Sequence, residues 1–242
     1  MIGRRTMPLA FEPKNTDEIK RILKYTGISN ALAYHSLAVE YHPIEGNMKL
    51  IEDIAGDDFF IPVWVVMPCW TNEFPEPAEL RLQLALHRIK ALRVSPGVAS
   101  LNYSIDEWSM GNVFKLAEEL RLPLMVDLEY TTWRDLYSLS SGHPQLKIIV
   151  TKVGYRNARF LYPIMMQCKN IHIDISMYKN HLGIEHLCNT FGSERLLYGS
   201  AMPSYSPGSA KAMVLNADIG ENERINIAGG NILRLIGDVR YE

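Results

Sequence analysis

QLKIIVTKVG, residues 145–154, decides the fold. Ile148, Ile149 and Val150 follow one another with no polar residue between them, and Gly154 closes the segment. A strand with one wet face alternates apolar and polar side chains. An unbroken apolar run instead belongs to a strand buried on both faces of a parallel sheet. The same pattern recurs at NALAYHS (30–36), FFIPVWVVMP (59–68), IKALRVSP (89–96), LPLMVDLEY (122–130), NIHIDIS (170–176) and RLLYGSAMP (195–203).

Helical patterns lie between these runs. NTDEIKRILKYTG (15–27) opens with Asn15 or Thr16 as a cap, places Asp17 and Glu18 in its first turn and stops at Gly27. Its Ile19, Ile22 and Leu23 share one face. MGNVFKLAEELRL (110–122), ARFLYPIMMQC (158–168) and GIEHLCNTF (183–191) repeat the logic, and ENERINIAGGNILRLIG (221–237) closes the chain. Strand and helix alternate at about 30 residues per unit, the size of a βα repeat.

Composition narrows the classes. The 242 residues carry 25 Lys and Arg against 27 Asp and Glu, a formal charge of −2, so no basic footprint for nucleic acid exists. Cys69, Cys168 and Cys188 are far apart and form no Cys-x-x-Cys pair, which argues against a disulfide framework or a zinc finger. The basic opening MIGRRTMPLAFEPKN has no apolar signal-peptide core, and no stretch approaches the ~18 apolar residues of a membrane span. The expectation is a soluble cytoplasmic protein with a single domain over 1–242, no membrane or nucleic-acid partner, and a small-molecule ligand.

Two α/β architectures suit the alternation: an open doubly wound sheet and a (β/α)8 TIM barrel. A dinucleotide sheet would carry Gly-x-Gly-x-x-Gly after its first strand, and neither that motif nor a Walker loop is present. Polar residues recur where strands end: His35, Arg93, Asp127, Glu129, Lys152, Asp174 and Ser200. A barrel gathers such residues at one mouth, so the expectation is a barrel. Its first strand has only Met1-Ile2-Gly3 to draw on, so the expectation is a barrel incomplete there: either a natural N-terminal extension is missing or the gap is closed by a short remnant or a neighbouring subunit. An open edge carries unpaired backbone groups and invites a short remnant or a second copy of the chain, as in a homo-oligomer.

Nine segments, taken in order, resemble the amidohydrolase-2 family of metal-dependent (β/α)8 hydrolases and decarboxylases: GISNALAYHS, EGNMKLIEDI, FFIPVWVVMP, IKALRVSP, LPLMVDL, HPQLKIIVTKVG, NIHIDIS, RLLYGSAMP and GGNILRLIG. The most specific are RLLYGSAMP followed by GGNILRLIG, and KIIVTKVG followed by NIHIDIS. The resemblance implies a divalent metal such as zinc at the mouth, held by a His-x-His pair after the first strand, a His after the fifth, often a His after the sixth and an Asp after the eighth. Such an ion lowers the pKa of bound water to about 7. Position by position, this chain departs from that set. It has no His-x-His. The fifth-strand His falls at Asp127, the sixth-strand His at Lys152 and the eighth-strand Asp at Ala201. The expectation is therefore a divergent, metal-free and non-hydrolytic member with no cofactor. The alternative is a metal-dependent hydrolase or decarboxylase of a small organic acid.

Lys152 and Asp127 are the candidate catalytic pair, joined across the mouth in place of a metal. Lys152 can bind an anion, transfer a proton or, with a depressed pKa, form an imine; its plainer role is ion pairing with Asp127 or Glu129. Arg93, His35, Glu129, Tyr130 and Trp70 are the candidate ligand-binding residues. Arg93 suits a substrate carboxylate, and Trp70 and Trp133 follow strand ends where they can wall an apolar pocket. Asp174, with His172 deeper on the same strand face, reads as structural. His181 and His186 read as surface, and His42, His87 and His143 carry no signal.

Overall fold

The run at 145–154 forms a strand over Ile148–Thr151, and all four residues are buried. It is the fifth of seven in a computed structural model that describes residues 1–241. In chain order the strands are β1 (Ala31–Ala33), β2 (Phe60–Val66), β3 (Ala91–Val94), β4 (Leu124–Asp127), β5 (Ile148–Thr151), β6 (Ile171–Asp174) and β7 (Leu196–Leu197). They lie side by side in sequence order, each parallel to the next. Helices fill the crossovers, as parallel neighbours require.

Register explains the two faces. Leu92, Leu124, Ile148 and Ile171 stand in one row across β3 to β6, and all four are fully buried. With Val126, Val150 and Ile173 they join Val113, Phe114, Leu136, Leu161 and Met165 of the covering helices in one core. The adjacent row, Arg93, Met125, Ile149 and His172, faces the opposite way by the two-residue period. Arg93, Met125 and Ile149 line the interior of the curled sheet.

Buried asparagines tie helices to strand edges. The Asn47 amide donates to the Val65 carbonyl at 2.8 Å and accepts the Val65 N–H at 2.9 Å. Asn170 donates to the carbonyls of His143 and Leu146, each at 2.9 Å. The first long helix, Thr16–Tyr25, starts on Asn15, whose side chain accepts the Glu18 N–H at 2.9 Å. Asn15 rather than Thr16 is the cap. The short helix Leu37–Glu40 and four longer ones, Pro43–Asp53, Pro77–Leu86, Trp133–Gly142 and Pro207–Asn216, go beyond the helical patterns read from the sequence.

The sheet curls so far that Leu32 of β1 and Leu197 of β7 face one cavity. Between those edges, among the described residues, only Ile2 pairs: its N–H donates to the Tyr34 carbonyl and its carbonyl accepts from the Ser36 N–H, both at 2.9 Å. The Met1 nitrogen reaches across to the Met202 carbonyl at 3.3 Å. The architecture is an α/β barrel incomplete at its first strand. Among the described residues no helix is long and apolar enough to cross a membrane.

Candidate functional site

Asp127 ends β4 with its side chain buried, and three neighbours converge on its carboxylate. The Arg93 guanidinium reaches it from β3, the Thr151 hydroxyl donates to it from β5, and the Lys152 ammonium stands 3.3 Å away. Lys152 also meets Glu129 at 2.6 Å. Glu129 and Tyr130 lie on the single turn Leu128–Tyr130 that follows β4. Aromatic faces back both cations: Arg93 sits 4.3 Å from the Tyr34 ring centre and Lys152 5.3 Å from that of Tyr130. The Arg93 Nε is buried with no acceptor.

The electrostatics follow from this packing. Burial works to raise the Asp127 pKa, but Arg93 and Lys152, with the Thr151 hydrogen bond, outweigh it and hold the carboxyl below its ordinary value. Burial works against the Lys152 ammonium as well, yet Asp127 and Glu129 together raise its pKa. An imine-forming lysine needs the opposite shift, so the environment keeps Lys152 a permanent cation.

Asp174, at the end of β6, enters the same cavity of about 1550 Å³. One carboxyl oxygen accepts the Ser176 N–H at 2.7 Å. The carboxyl lies against Gly199, where a Cβ would meet an oxygen at 2.1 Å, so a side chain at 199 would displace the carboxyl. Burial pushes the Asp174 pKa up. His172, deeper on the same strand, has an unpartnered Nδ1, and burial lowers its pKa to about 4.

Lys152 and Ala201 share a backbone peculiarity. Their φ angles, 58° and 51°, lie in the left-handed region that residues with a side chain seldom adopt. Such strain persists where surrounding structure imposes it, commonly at functional sites. Both occupy positions where the resemblance places metal ligands. The donor set itself does not fit a divalent ion. Among the described residues no three His, Cys, Asp or Glu side chains converge as a metal requires, and Arg93 and Lys152 already occupy Asp127.

Arg93, Asp127, Glu129, Tyr130 and Lys152 thus come together at the mouth. Two candidate ligand residues do not. Along β1 and its continuation Leu32 and Tyr34 face the cavity, so His35 points to the other face. There its Nδ1 accepts the Leu37 N–H at 3.1 Å and its Nε2 lies 3.3 Å from Asp53. Trp70 is 65% exposed and turns away to donate to the Ser109 carbonyl at 2.8 Å. Trp133 stacks on Phe160 and donates to Asn157 at 3.2 Å, behind the cavity wall. Tyr34, Thr151, Ser176 and Gly199 escaped the sequence reading. The two-residue period points to Tyr34 and Thr151, each on the inward face with a charged neighbour.

The sequence model of a family described as Amidohydrolase (Amidohydro_2) matches residues 50–237. No curated protein matches the chain by sequence. Among solved structures, an uncharacterized TIM-barrel protein from Bordetella bronchiseptica aligns with a TM-score of 0.75 at 16% identity, covering 93% of this chain and 83% of that one. The 5-carboxyvanillate decarboxylase LigW from Sphingomonas paucimobilis aligns at 0.70 and 13%, covering 93% and 84%. A 2,6-dihydroxybenzoate decarboxylase from Rhizobium aligns at 0.65 and 15%, covering 96% and 90%. At these identities the likeness is one of fold.

Proposed function

The chain belongs to the amidohydrolase family, and from that premise we propose that it is a metal-independent member that binds a small organic carboxylate at the mouth of its sheet. The observation that carries the reading is the position of the Lys152 ammonium, 3.3 Å from Asp127 and 2.6 Å from Glu129. A fixed cation held by a buried carboxylate substitutes for a bound ion.

Charge counting gives the ligand class. Arg93 and Lys152 bring two positive charges, and Asp127 and Glu129 bring two negative ones. Asp127 is 3% exposed at its side chain and stays in place, whereas Glu129 is 57% exposed. An exposed ion pair is worth at most about 1 kcal/mol, so an incoming carboxylate can replace Glu129 on Lys152. The faces of Tyr34 and Tyr130 suit a flat or hydroxylated body behind that carboxylate. Benzoate is the simplest probe. It is expected to raise the melting temperature of the wild type and to leave Lys152→Met unchanged; equal shifts in both proteins would place the binding elsewhere.

A second reading, decarboxylation of a small aromatic acid, is favoured by the fold shared with two decarboxylases. Carbon dioxide release from 2,6-dihydroxybenzoate, followed with and without added Mn²⁺, tests it; no release under either condition leaves binding as the function.

A further inference from the structure

Four carboxylates line the cavity, and three of them are ion-paired: Asp127 with Arg93 and Lys152, Glu129 with Lys152, and Glu40 with Arg5. Asp174 is the fourth. Among the described residues it has no cationic partner, although it lies in the wall of the cavity. We propose that Asp174 is the specificity-determining residue of the site, an uncharged carboxyl that donates a hydrogen bond to an oxygen at the end of the ligand remote from its carboxylate. The proposal rests on the carboxylate-binding reading above.

The geometry sets Asp174 apart from the charged wall. Asp127 pairs in register with Thr151, and Val150 with Ile173, so Asp174, one residue beyond Ile173, stands level with Thr151. Two strand spacings separate β4 from β6, about 10 Å. The Lys152 ammonium leans toward β4, 3.3 Å from Asp127, so a ligand held there meets Asp174 on the other side after roughly the width of one six-membered ring. The bare Cα of Gly199 leaves room for the carboxyl there.

Charge and burial fix its state. Asp174 is half-buried, and a carboxylate drawn out of water without a cation is disfavoured, which favours its protonated form. The groups that act on it are few. Arg93 on β3 and the Ser176 amide and hydroxyl favour the anion; Asp127 on β4 opposes it, and burial outweighs all of them. Tyr198, after β7, is the other titratable neighbour; its own pKa is pushed up to about 12, by burial first and by Asp174 second, so it stays neutral. Lys152 faces the same cavity but is bound to Asp127 and Glu129.

Calorimetric titration of benzoate and 4-hydroxybenzoate into wild type, Asp174→Ala and Asp174→Asn tests the assignment. The wild type is expected to prefer the hydroxylated compound about tenfold, the gain of one good hydrogen bond. That preference falls to near unity in Asp174→Ala and survives in Asp174→Asn, which keeps a donor. As pH rises the wild-type preference declines while the carboxyl loses its proton, and that of Asp174→Asn stays flat. Benzoate affinity, which needs no donor, is common to all three proteins and reports that each is folded. A preference unchanged in Asp174→Ala, or an Asn variant no better than Ala, overturns the inference and leaves the carboxylate site standing. Failure of the wild type to bind benzoate at all overturns the site, and the inference with it.

Discussion

The arc from β2 to β6 and the flank where β1, Ile2 and β7 meet are built from similar residues and end in different states. In the arc every strand has two neighbours, and the row Leu92, Leu124, Ile148 and Ile171 is fully buried. Its polar strand ends are tied to one another: Arg93 to Asp127, Thr151 to Asp127, Lys152 to Glu129. On the flank one backbone bridge at Ile2 joins β1, and Leu32 and Leu197 line the cavity with Leu215, Ile225 and Leu233 beyond them. Those last three are more than half exposed. Where a sheet has both neighbours, packing consumes its side chains. Where it lacks one, the space persists and becomes available to a ligand.

The largest effect expected from this contrast is in the arc. Asp127→Ala strands a buried Arg93 guanidinium, and removal of one partner of such a pair costs about 3–5 kcal/mol. Replacing both together, Arg93→Met with Asp127→Leu, is expected to recover most of that stability in urea unfolding. Recovery of none would mean that the pair itself, not the orphaned charge, holds the strands. Next come paired truncations. Leu124→Ala empties a sealed layer at about 2–5 kcal/mol, whereas Leu32→Ala, at the half-open flank, is expected near 1 kcal/mol. Equal losses at the two sites would erase the distinction between arc and flank.

Acid sharpens the same contrast through His172. Its folded pKa of about 4 lies below the ordinary 6.5, so the unfolded chain takes up the proton first. The stability contributed by neutral His172 is complete above pH 6.5 and is lost as pH falls toward 4, about 3 kcal/mol in all. His172→Leu is expected to flatten unfolding free energy over that window; an unchanged slope would mean the ring is not held neutral. The smallest effect is at the rim. Lys152→Met is expected to change stability by no more than about 1 kcal/mol, because its side chain is 42% exposed. Its consequence is lost ligand affinity.

The arc was legible in the sequence because continuous apolar runs such as IIV at 148–150 have no other stable home than a doubly covered sheet. The pairing of Lys152 with Asp127 followed from opposite charges at the ends of neighbouring strands. His35 was misplaced because a strand end was read without its two-residue period, which turns Tyr34 inward and His35 outward. Trp70 was misplaced because a loop's direction after a strand depends on packing against the helix Glu107–Glu119, which no local pattern encodes. The packing of Asp174 was not legible, because its environment comes from elsewhere: Gly199 clears space for it from a different strand end.

The central claim is that Lys152, set between Asp127 and Glu129, takes the place of a metal in holding a carboxylate. Titration of benzoate into protein stripped with a chelator, repeated after adding Zn²⁺ or Mn²⁺, addresses it directly. The account predicts the same affinity before and after the metal is restored. Binding that appears only once the ion is present would contradict it.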